Sequence, residues 1–410
     1  MVEPEKVRCR ICGGNVSEFL DLGRQPLSDA FRAPDCTEEE FFYRLAVGRC
    51  ELCTMVQMTE EVPRERMFHH GYPYRSSGSS VMRQHFTRTA LRYIETELMG
   101  PDPFFVEIGC NDGVLLRTMA ESGVRHLGFE PSGAVAATAR GRGARVRSDF
   151  FDEPAGIALR DREGPADVVY SANTICHIPY MQSVLRGVDV LLGPSGVFVF
   201  EDPYLGDIID KTAFDQIYDE HFFLFSARSV LAMAERSGFE LVDVERLPVH
   251  GGEVRYTLAR PGMRRRAGSV GRLLAWEDAR GLAEPETLAG FAAAVGRVRS
   301  ELPDLLRSLR DGGKTVVGYG ATAKSATVTN HCGIGPDLVS YICDTTPAKQ
   351  GRLTPGAHIP VRPPAAFAAD RPDYALLFAW NHADEIMAKE RRFRASGGRW
   401  IRYVPEVRVL

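Results

Sequence analysis

The sequence predicts an α/β protein, a doubly wound parallel sheet with a small metal-binding module before it and a second α/β unit after it. Three observations predict this. From Phe104 to about Phe200, apolar strand-like runs alternate with helical patterns. Two Cys-x-x-Cys pairs, Cys9/Cys12 and Cys50/Cys53, stand near the N-terminus. A second glycine-rich turn, Gly318-Tyr-Gly320-Ala-Thr-Ala-Lys324, opens a further strand-helix alternation toward the C-terminus.

The 410 residues suffice for two or three domains, and 44% hydrophobic with 25% charged content describes an ordinary globular chain. A formal net charge of -4 argues against broad binding to the phosphate backbone of nucleic acid. No apolar run reaches the ~20 residues of a membrane span. The start, MVEPEKVRCRICGG, lacks the hydrophobic region of a secretion signal, so a cytoplasmic location is expected. Nine cysteines, an odd number with four in tight pairs, suit a reducing compartment and a metal site better than a disulfide framework.

Cys9-Arg-Ile-Cys12 is followed by two glycines that permit a tight turn, and Cys50-Glu-Leu-Cys53 supplies a matching pair. Four thiolates in two such knuckles fit a tetrahedral structural Zn2+; the alternative is unpaired buried thiols. Four cysteines leave no open position for water, which disfavours a catalytic zinc. The long gap between the pairs must fold back, and Phe19, Leu20, Leu22, Leu27, Phe31, Phe41 and Phe42 give it an apolar set. Cys36, in a Pro-Asp-Cys-Thr loop, reads as a bystander. A strand is expected from Tyr43 to Val47 and a polar segment from Thr59 to Arg66, closing a first domain at 1–68.

A Tyr/Ser/Gly loop, His70 to Ser80, then enters an amphipathic helix expected from Val81 to Leu98. Strands are expected near 104–108, 126–129, 144–147, 167–170 and 196–200, with late antiparallel strands at Glu240–Glu245 and Glu253–Leu258, in a domain spanning 69–262. A charged stretch, Arg260 to Arg266, leads into helical sequence from Val270 to Leu309; 263–298 is assigned as a helical connection and 299–410 as the last α/β domain. Strands there are expected before Gly318, from Leu338 to Cys343, at Tyr374–Leu377 and at Arg399–Val404.

Within the middle domain, Val106-Glu-Ile-Gly109-Cys-Asn111-Asp112-Gly113 is an apolar strand running into a glycine turn and a helical pattern. The next apolar run ends in Glu130-Pro131. That order fits nucleoside binding: glycines allow close backbone approach, a helix N-terminus offers N–H donors, and the carboxylate can accept two ribose hydroxyls. Asn111 occupies the second glycine position of G-x-G-x-x-G, so the dinucleotide fingerprint is not matched.

Phe214-Asp-Gln-Ile-Tyr218-Asp-Glu220-His221 follows the fifth strand, on the carboxyl side where such sheets bind ligands. Histidine beside a carboxylate and a hydroxyl can take a proton at neutral pH, or can cap or pack beside a Phe-rich helix. Ser171-Ala-Asn173-Thr-Ile-Cys-His177 should reach the same cleft, His177 binding substrate, orienting another group or serving structure. Tyr72 and Tyr74 are candidates for a lid. In the last domain, the turn, hydroxyl and cation of Gly318 to Lys324 suit an anionic group, a phosphate-bearing substrate better than NAD, or else only support the other domains. Asn330, Asp344, Trp380, Asn381 and His382 are candidate pocket residues.

The glycine turn resembles the Glu-x-Gly-x-x-x-Gly opening of class I, Rossmann-like S-adenosylmethionine methyltransferases. Taken with the cysteine pairs, Arg24-Gln-Pro-Leu-Ser-Asp29, Tyr72-Pro-Tyr-Arg-Ser-Ser-Gly-Ser-Ser80, Tyr218-Asp-Glu-His221 and Gly318 to Lys324, it resembles over the full length the sugar C-3′-methyltransferases of antibiotic deoxysugar pathways, of the D-tetronitrose and kijanose type. The resemblance implies a monomer with a zinc-binding domain, a methyltransferase domain and a C-terminal domain that helps hold a dTDP-linked 4-keto deoxysugar. It implies Tyr72, His177, Tyr218, Glu220 and His221 around the sugar, and the turn Gly109 to Asp112, Glu130, Pro131, Asp149, Phe150 and Asn173 around S-adenosylmethionine. Lys324 and Asn330 are the implied nucleotide contacts.

The reaction so implied is methylation at C-3′ of a dTDP-4-keto-2,3,6-trideoxy-3-aminohexose. His221 removes the proton, Glu220 orients His221, Tyr218 and His177 donate toward the 4-keto oxygen, and the enolate carbon attacks the sulfonium methyl. The zinc takes no part. Open alternatives are a 3-hydroxyl sugar, O- or N-methylation of another small molecule, and a zinc-ribbon module whose degenerate Rossmann core makes protein contacts.

Overall fold

In the computed structural model, which describes residues 7–68 and 72–410, the chain builds three sheets. The first six residues and His69 to Gly71, and with them the start of the expected Tyr/Ser/Gly loop, lie outside the described residues. Among the described residues no helix is long and apolar enough to cross a membrane.

The middle sheet has the spatial order Glu240–Leu247, Glu253–Ala259, Leu192–Pro203, Ala166–Ala172, Phe104–Ile108, Arg125–Phe129, Val146–Arg147. The strands from Leu192–Pro203 to Val146–Arg147 run parallel, and the two late strands add antiparallel at the edge, as the alternation predicts. Every residue of Phe104–Ile108 is buried, as in a central strand covered on both faces; four of the five are apolar and the fifth is Glu107. Helices Val114–Glu121, Gly133–Gly141, Glu153–Glu163 and Met181–Leu191 make the crossovers. The expected helix at 81–98 forms as Ser80–Thr96, started by Ser79, whose hydroxyl accepts from the Met82 N–H.

The N-terminal sheet is an antiparallel meander of Val16–Pro26, Phe42–Cys50 and Val56–Met58. Its fourth strand is not local: Phe223–Leu224, which follows His221, pairs with Val56 and Gln57. The C-terminal sheet has the order Val361–Arg362, Ile342–Cys343, Val316–Tyr319, Tyr374–Leu377, Arg399–Arg402, Arg408–Val409, parallel except for the last pair.

The helical sequence from Val270 to Leu309 divides into Gly268–Ala279 and Pro285–Asp311, because Gly281 takes φ +54° and Pro285 opens the second helix where its missing N–H costs nothing. That second helix passes through residue 298 without a break, so the connection expected to end there continues to Asp311. One apolar cluster joins the three sheets, from Leu45 and Val56 through Phe223 and Phe225 to Val328 and Ile401.

Phe223 is 1% exposed and packs edge-on to Phe222 at 4.8 Å and against Phe225 at 5.7 Å. Phe223→Ala is expected to destabilise the chain by about 3–5 kcal/mol. Urea unfolding followed by fluorescence checks this, and a loss confined to the middle domain would show that the shared strand does not couple the sheets.

Candidate active site and metal centre

The two cysteine knuckles meet. Cys9 Sγ lies 3.6 Å from Cys53 Sγ and Cys12 Sγ 3.3 Å from Cys50 Sγ, and the four sulfurs all lie within 4.8 Å of one another. Backbone N–H groups of Ile11, Gly14 and Cys53 point at Cys9, Cys12 and Cys50 at 3.4, 3.4 and 3.5 Å, an arrangement that stabilises thiolates. Four sulfurs about Zn2+ at ~2.3 Å would stand ~3.8 Å apart, so small adjustments give a closed tetrahedral site. Cys36 lies beside Arg32 and is not part of the cluster.

A cavity of about 710 Å³ opens at the carboxyl ends of the middle sheet and is walled by all three domains. Gly109, Asn111, Glu130, Pro131, Asp149, Phe150 and Asn173 line one part of it. Gly109 has φ +72°, and a Cβ there would sit 2.2 Å from Thr174 Oγ1, so the strand can turn only with glycine. Gly113 likewise has φ +76° and would strike Ala139 at 2.8 Å.

Glu130 accepts from the Asn111 N–H at 3.1 Å and the Ser132 N–H at 2.8 Å, which fixes its carboxyl at the cavity wall. Burial raises its pKa to about 7. Glu107, also on the wall, is raised well above the ordinary carboxylate range by burial and by Glu130, and its Oε2 has no hydrogen-bond partner among the described residues. Buried acceptors aimed into a cavity fit a ligand rich in hydroxyl and amine donors, as S-adenosylmethionine is. Phe129, Phe150 and Phe151 add an apolar face.

Asp112 does not line the cavity. It is fully buried, accepts from the Ser77 N–H at 3.3 Å and from the Ser77 hydroxyl, and pairs with Arg142 at 2.8 Å. The expected cofactor contact is therefore a tether for the loop of Tyr72 to Ser79. Asn111 belongs to both: its Oδ1 accepts from the Ser76 N–H at 2.9 Å while its residue lines the cavity.

Tyr72, His177, Tyr218, Glu220, His221 and Lys324 line the rest of the cavity. His221 Nδ1 lies 2.6 Å from the Gln216 carbonyl, to which only an N–H can bond, so its Nε2 is the acceptor for the Tyr218 hydroxyl at 2.8 Å. Burial, then the neighbouring His177, push the His221 pKa well below the ordinary histidine value, and burial lowers His177 to about 3. His177 stacks between Phe68 at 5.6 Å and His221 at 5.2 Å, and its Nε2 has no partner among the described residues.

Glu220 does not orient His221, because both ring nitrogens are already taken. Its Oε2 accepts from the Tyr72 hydroxyl at 3.0 Å, and burial together with Asp29 and Asp219 raises its pKa well above the carboxylate range. Asn330 is also corrected: its amide donates to the Ala326 and Pro355 carbonyls at 2.8 and 3.1 Å and it does not line the cavity. Asp344, Asn381 and His382 do line it, while Trp380 donates to Asp215.

Asp29 and Arg75, which lie within the sequence motifs but carry no expected role there, line the cavity, as do Lys349 and His250, which lie in no motif. Lys349 Nζ reaches Asp29 at 3.1 Å, from the last domain to the first. Cys176, His177 and His221 also cluster within 4.8 Å. The two imidazoles are stacked with only 23° between their planes, so their lone pairs cannot converge on one ion and the trio is not a metal site.

Fold and site together define a class I methyltransferase core with an attached zinc-binding domain. Family models match in that order: "Putative zinc binding domain" over residues 9–68, "Methyltransferase domain" over 82–244 and "C-methyltransferase C-terminal domain" over 248–405. C-methyltransferase NovU of Streptomyces niveus is 34% identical over 408 residues, 98% of this chain and 96% of that one. The chain belongs to this family of C-methyltransferases.

Solved structures similar in part include magnesium protoporphyrin IX methyltransferase of Synechocystis PCC 6803 with bound SAH, 12% identical, covering 44% of this chain and 87% of that one, TM-score 0.33. The glycopeptide N-methyltransferase MtfA with S-adenosylmethionine is 15% identical, covering 43% and 94%, TM-score 0.33.

The four-thiolate centre should carry about one zinc per chain by elemental analysis, and Cys50→Ser should lose nearly all of it together with a cooperative N-terminal unfolding transition. A metal-free wild-type chain with an intact transition would exclude the zinc.

Proposed function

We propose that the chain methylates C-3′ of a dTDP-4-keto-2,3,6-trideoxy-3-aminohexose, with His221 as the base. The observation that carries this reading is the neutral His221 imidazole at the cavity wall, anchored at Nδ1, with a basic Nε2 that is held by the Tyr218 hydroxyl, itself a cavity residue. A proton on carbon next to a ketone is weakly acidic, so removal needs both a base and donors for the developing oxyanion. As substrate binds, the Tyr218 O–H turns from Nε2 to the ketone oxygen, and the Nε2 lone pair so freed takes the carbon-bound proton while the electron pair moves onto the ketone oxygen as the enolate. His177, neutral and with a free Nε2, supplies a second contact to that oxygen.

Glu220, kept protonated by burial, accepts from the Tyr72 hydroxyl, and its neutral carboxyl offers hydrogen bonds that suit an uncharged amino substituent. S-adenosylmethionine, when bound, supplies an electrophilic methyl group; Gly109, Asn111, Glu130, Pro131, Asp149, Phe150 and Asn173 would hold it. Lys324, at the start of the helix Ala323–His331, has a buried Nζ without a hydrogen-bond partner among the described residues, a handle for the substrate's phosphates. Domains at 1–68 and 69–262, a helical connection ending at Asp311 and a nucleotide-sugar domain beyond it complete the reading, as a monomeric cytoplasmic enzyme.

His221→Asn is expected to bind S-adenosylmethionine normally by calorimetry and to lose at least ~100-fold in turnover. The wild type should exchange the C-3′ proton with deuterated solvent without S-adenosylmethionine, and the variant should not. Exchange at the wild-type rate in the variant would remove His221 as the base, and no exchange in the wild type would favour O- or N-methylation.

The pH profile has a definite sign. Burial, His177, Lys324 and His250 all lower the His221 pKa, and only the Gln216 carbonyl raises it, so the basic form persists as pH falls. With S-adenosylmethionine saturating, so that protonation of Glu130 near 7 does not limit, kcat/KM for the sugar should stay flat from pH 7 down through ~6.5, the ordinary histidine value; an acid limb above that value under those conditions would contradict the buried, neutral base.

A further inference from the structure

His221 does not fix its own orientation. Its Nδ1–H depends on the Gln216 carbonyl, in the short 3-10 turn Phe214–Gln216, a conformation with strained hydrogen bonds that needs outside support. The residue before Gln216, Asp215, is wholly buried. Its Oδ2 accepts from Trp380 Nε1–H and from the Tyr403 hydroxyl, both at 2.6 Å. Both donors come from the C-terminal domain, Trp380 after the strand Tyr374–Leu377 and Tyr403 after Arg399–Arg402. The Gln216 side chain is held as well, donating to the His250 carbonyl at 2.7 Å.

We propose that Asp215 is a positioning residue: clamped by Trp380 and Tyr403, it sets the Gln216 carbonyl and thereby keeps His221 in the Nδ1–H tautomer whose Nε2 faces the cavity. The C-terminal domain thus organises the base in addition to holding substrate. A neutral imidazole without this acceptor samples both tautomers, and one of them places N–H where the lone pair is required. The catalytic consequence rests on the reading of His221 as base; the tautomer does not.

The test uses the full zinc-loaded chain, labelled with 15N-histidine, and the double variant Trp380→Phe, Tyr403→Phe, which keeps both rings and removes both donors. Side-chain 15N spectra, with His221 assigned by its loss in His221→Asn, should show one Nδ1–H tautomer in the wild type and a mixture in the variant. kcat should fall at least tenfold while the KM for sugar nucleotide stays within about twofold. Should the double variant not fold, Tyr403→Phe and Asp215→Asn carry the same measurement. An unchanged tautomer overturns the proposal whatever turnover does, and so does a shifted tautomer with wild-type kcat. A wild type inactive on the sugar would count against the base reading and leave the tautomer result standing.

Discussion

The structure depends on how one buried segment, residues 214–224, has its polar groups satisfied. Asp215, Gln216, Asp219, Glu220 and His221 are all nearly inaccessible to solvent. Each would cost about 1–3 kcal/mol if left without a partner. The partners come from every side. The Ser28 N–H of the zinc-binding domain reaches Asp219 at 3.0 Å, and the Thr327 hydroxyl of the last domain reaches the Ile217 carbonyl at 3.1 Å. Tyr72 caps Glu220, Trp380 and Tyr403 hold Asp215, and Phe223–Leu224 completes the N-terminal sheet. The segment can be buried only where the three domains meet, so the cavity it lines exists only in the assembled chain.

Burial also decides charge. His177 and His250 are both lowered to about 3 and His221 is lowered as well, while Glu107, Glu220 and Glu130 are raised. The common cause is desolvation, which penalises every charged form regardless of sign. The buried part of the cavity wall thus holds imidazoles and carboxyls in their neutral forms, while the Asp29–Lys349 pair lies on the same wall. The four thiolates stand apart from this chemistry, and their part is to fold the domain that brings Ser28 and Asp29 to the segment.

The strands, the glycine turn and the cysteine pairs were legible in sequence because each rests on local periodicity or spacing. Phe104–Ile108 and Tyr374–Leu377 fall where the apolar runs place them. What escaped was non-local. Phe223–Leu224 is too short to announce itself as a strand, and it exists only by pairing with Val56 and Gln57. Glu220 stands next to His221 in sequence, and adjacency suggested a pair; the turn instead sends one side chain to Tyr72 and the other to Gln216 and Tyr218. Asn330, a nucleotide contact implied by the resemblance, sits nearly two turns beyond Lys324 on the helix Ala323–His331, where its amide closes the loop at Pro355. His250 had no motif at all; a left-handed backbone at φ +49° turns it into the wall.

The departure from the glycine fingerprint at Asn111 shows why a pattern and its exception must be read together. The residue has φ +47°, a conformation glycine would adopt freely and asparagine tolerates better than other side chains. Glycine would keep the N–H that bonds Glu130 but would lose the Oδ1 that holds the Ser76 N–H. Asparagine therefore gives up backbone ease to join the Glu130 carboxylate to the neighbouring loop. Asp112 repeats the device one residue on, through Ser77 and Arg142. The loop of Tyr72 to Ser79 is therefore tied at Ser76 to the residue that also bonds Glu130, and at Ser77 to its neighbour, which makes Asn111 a direct link between that loop and the carboxylate of the wall.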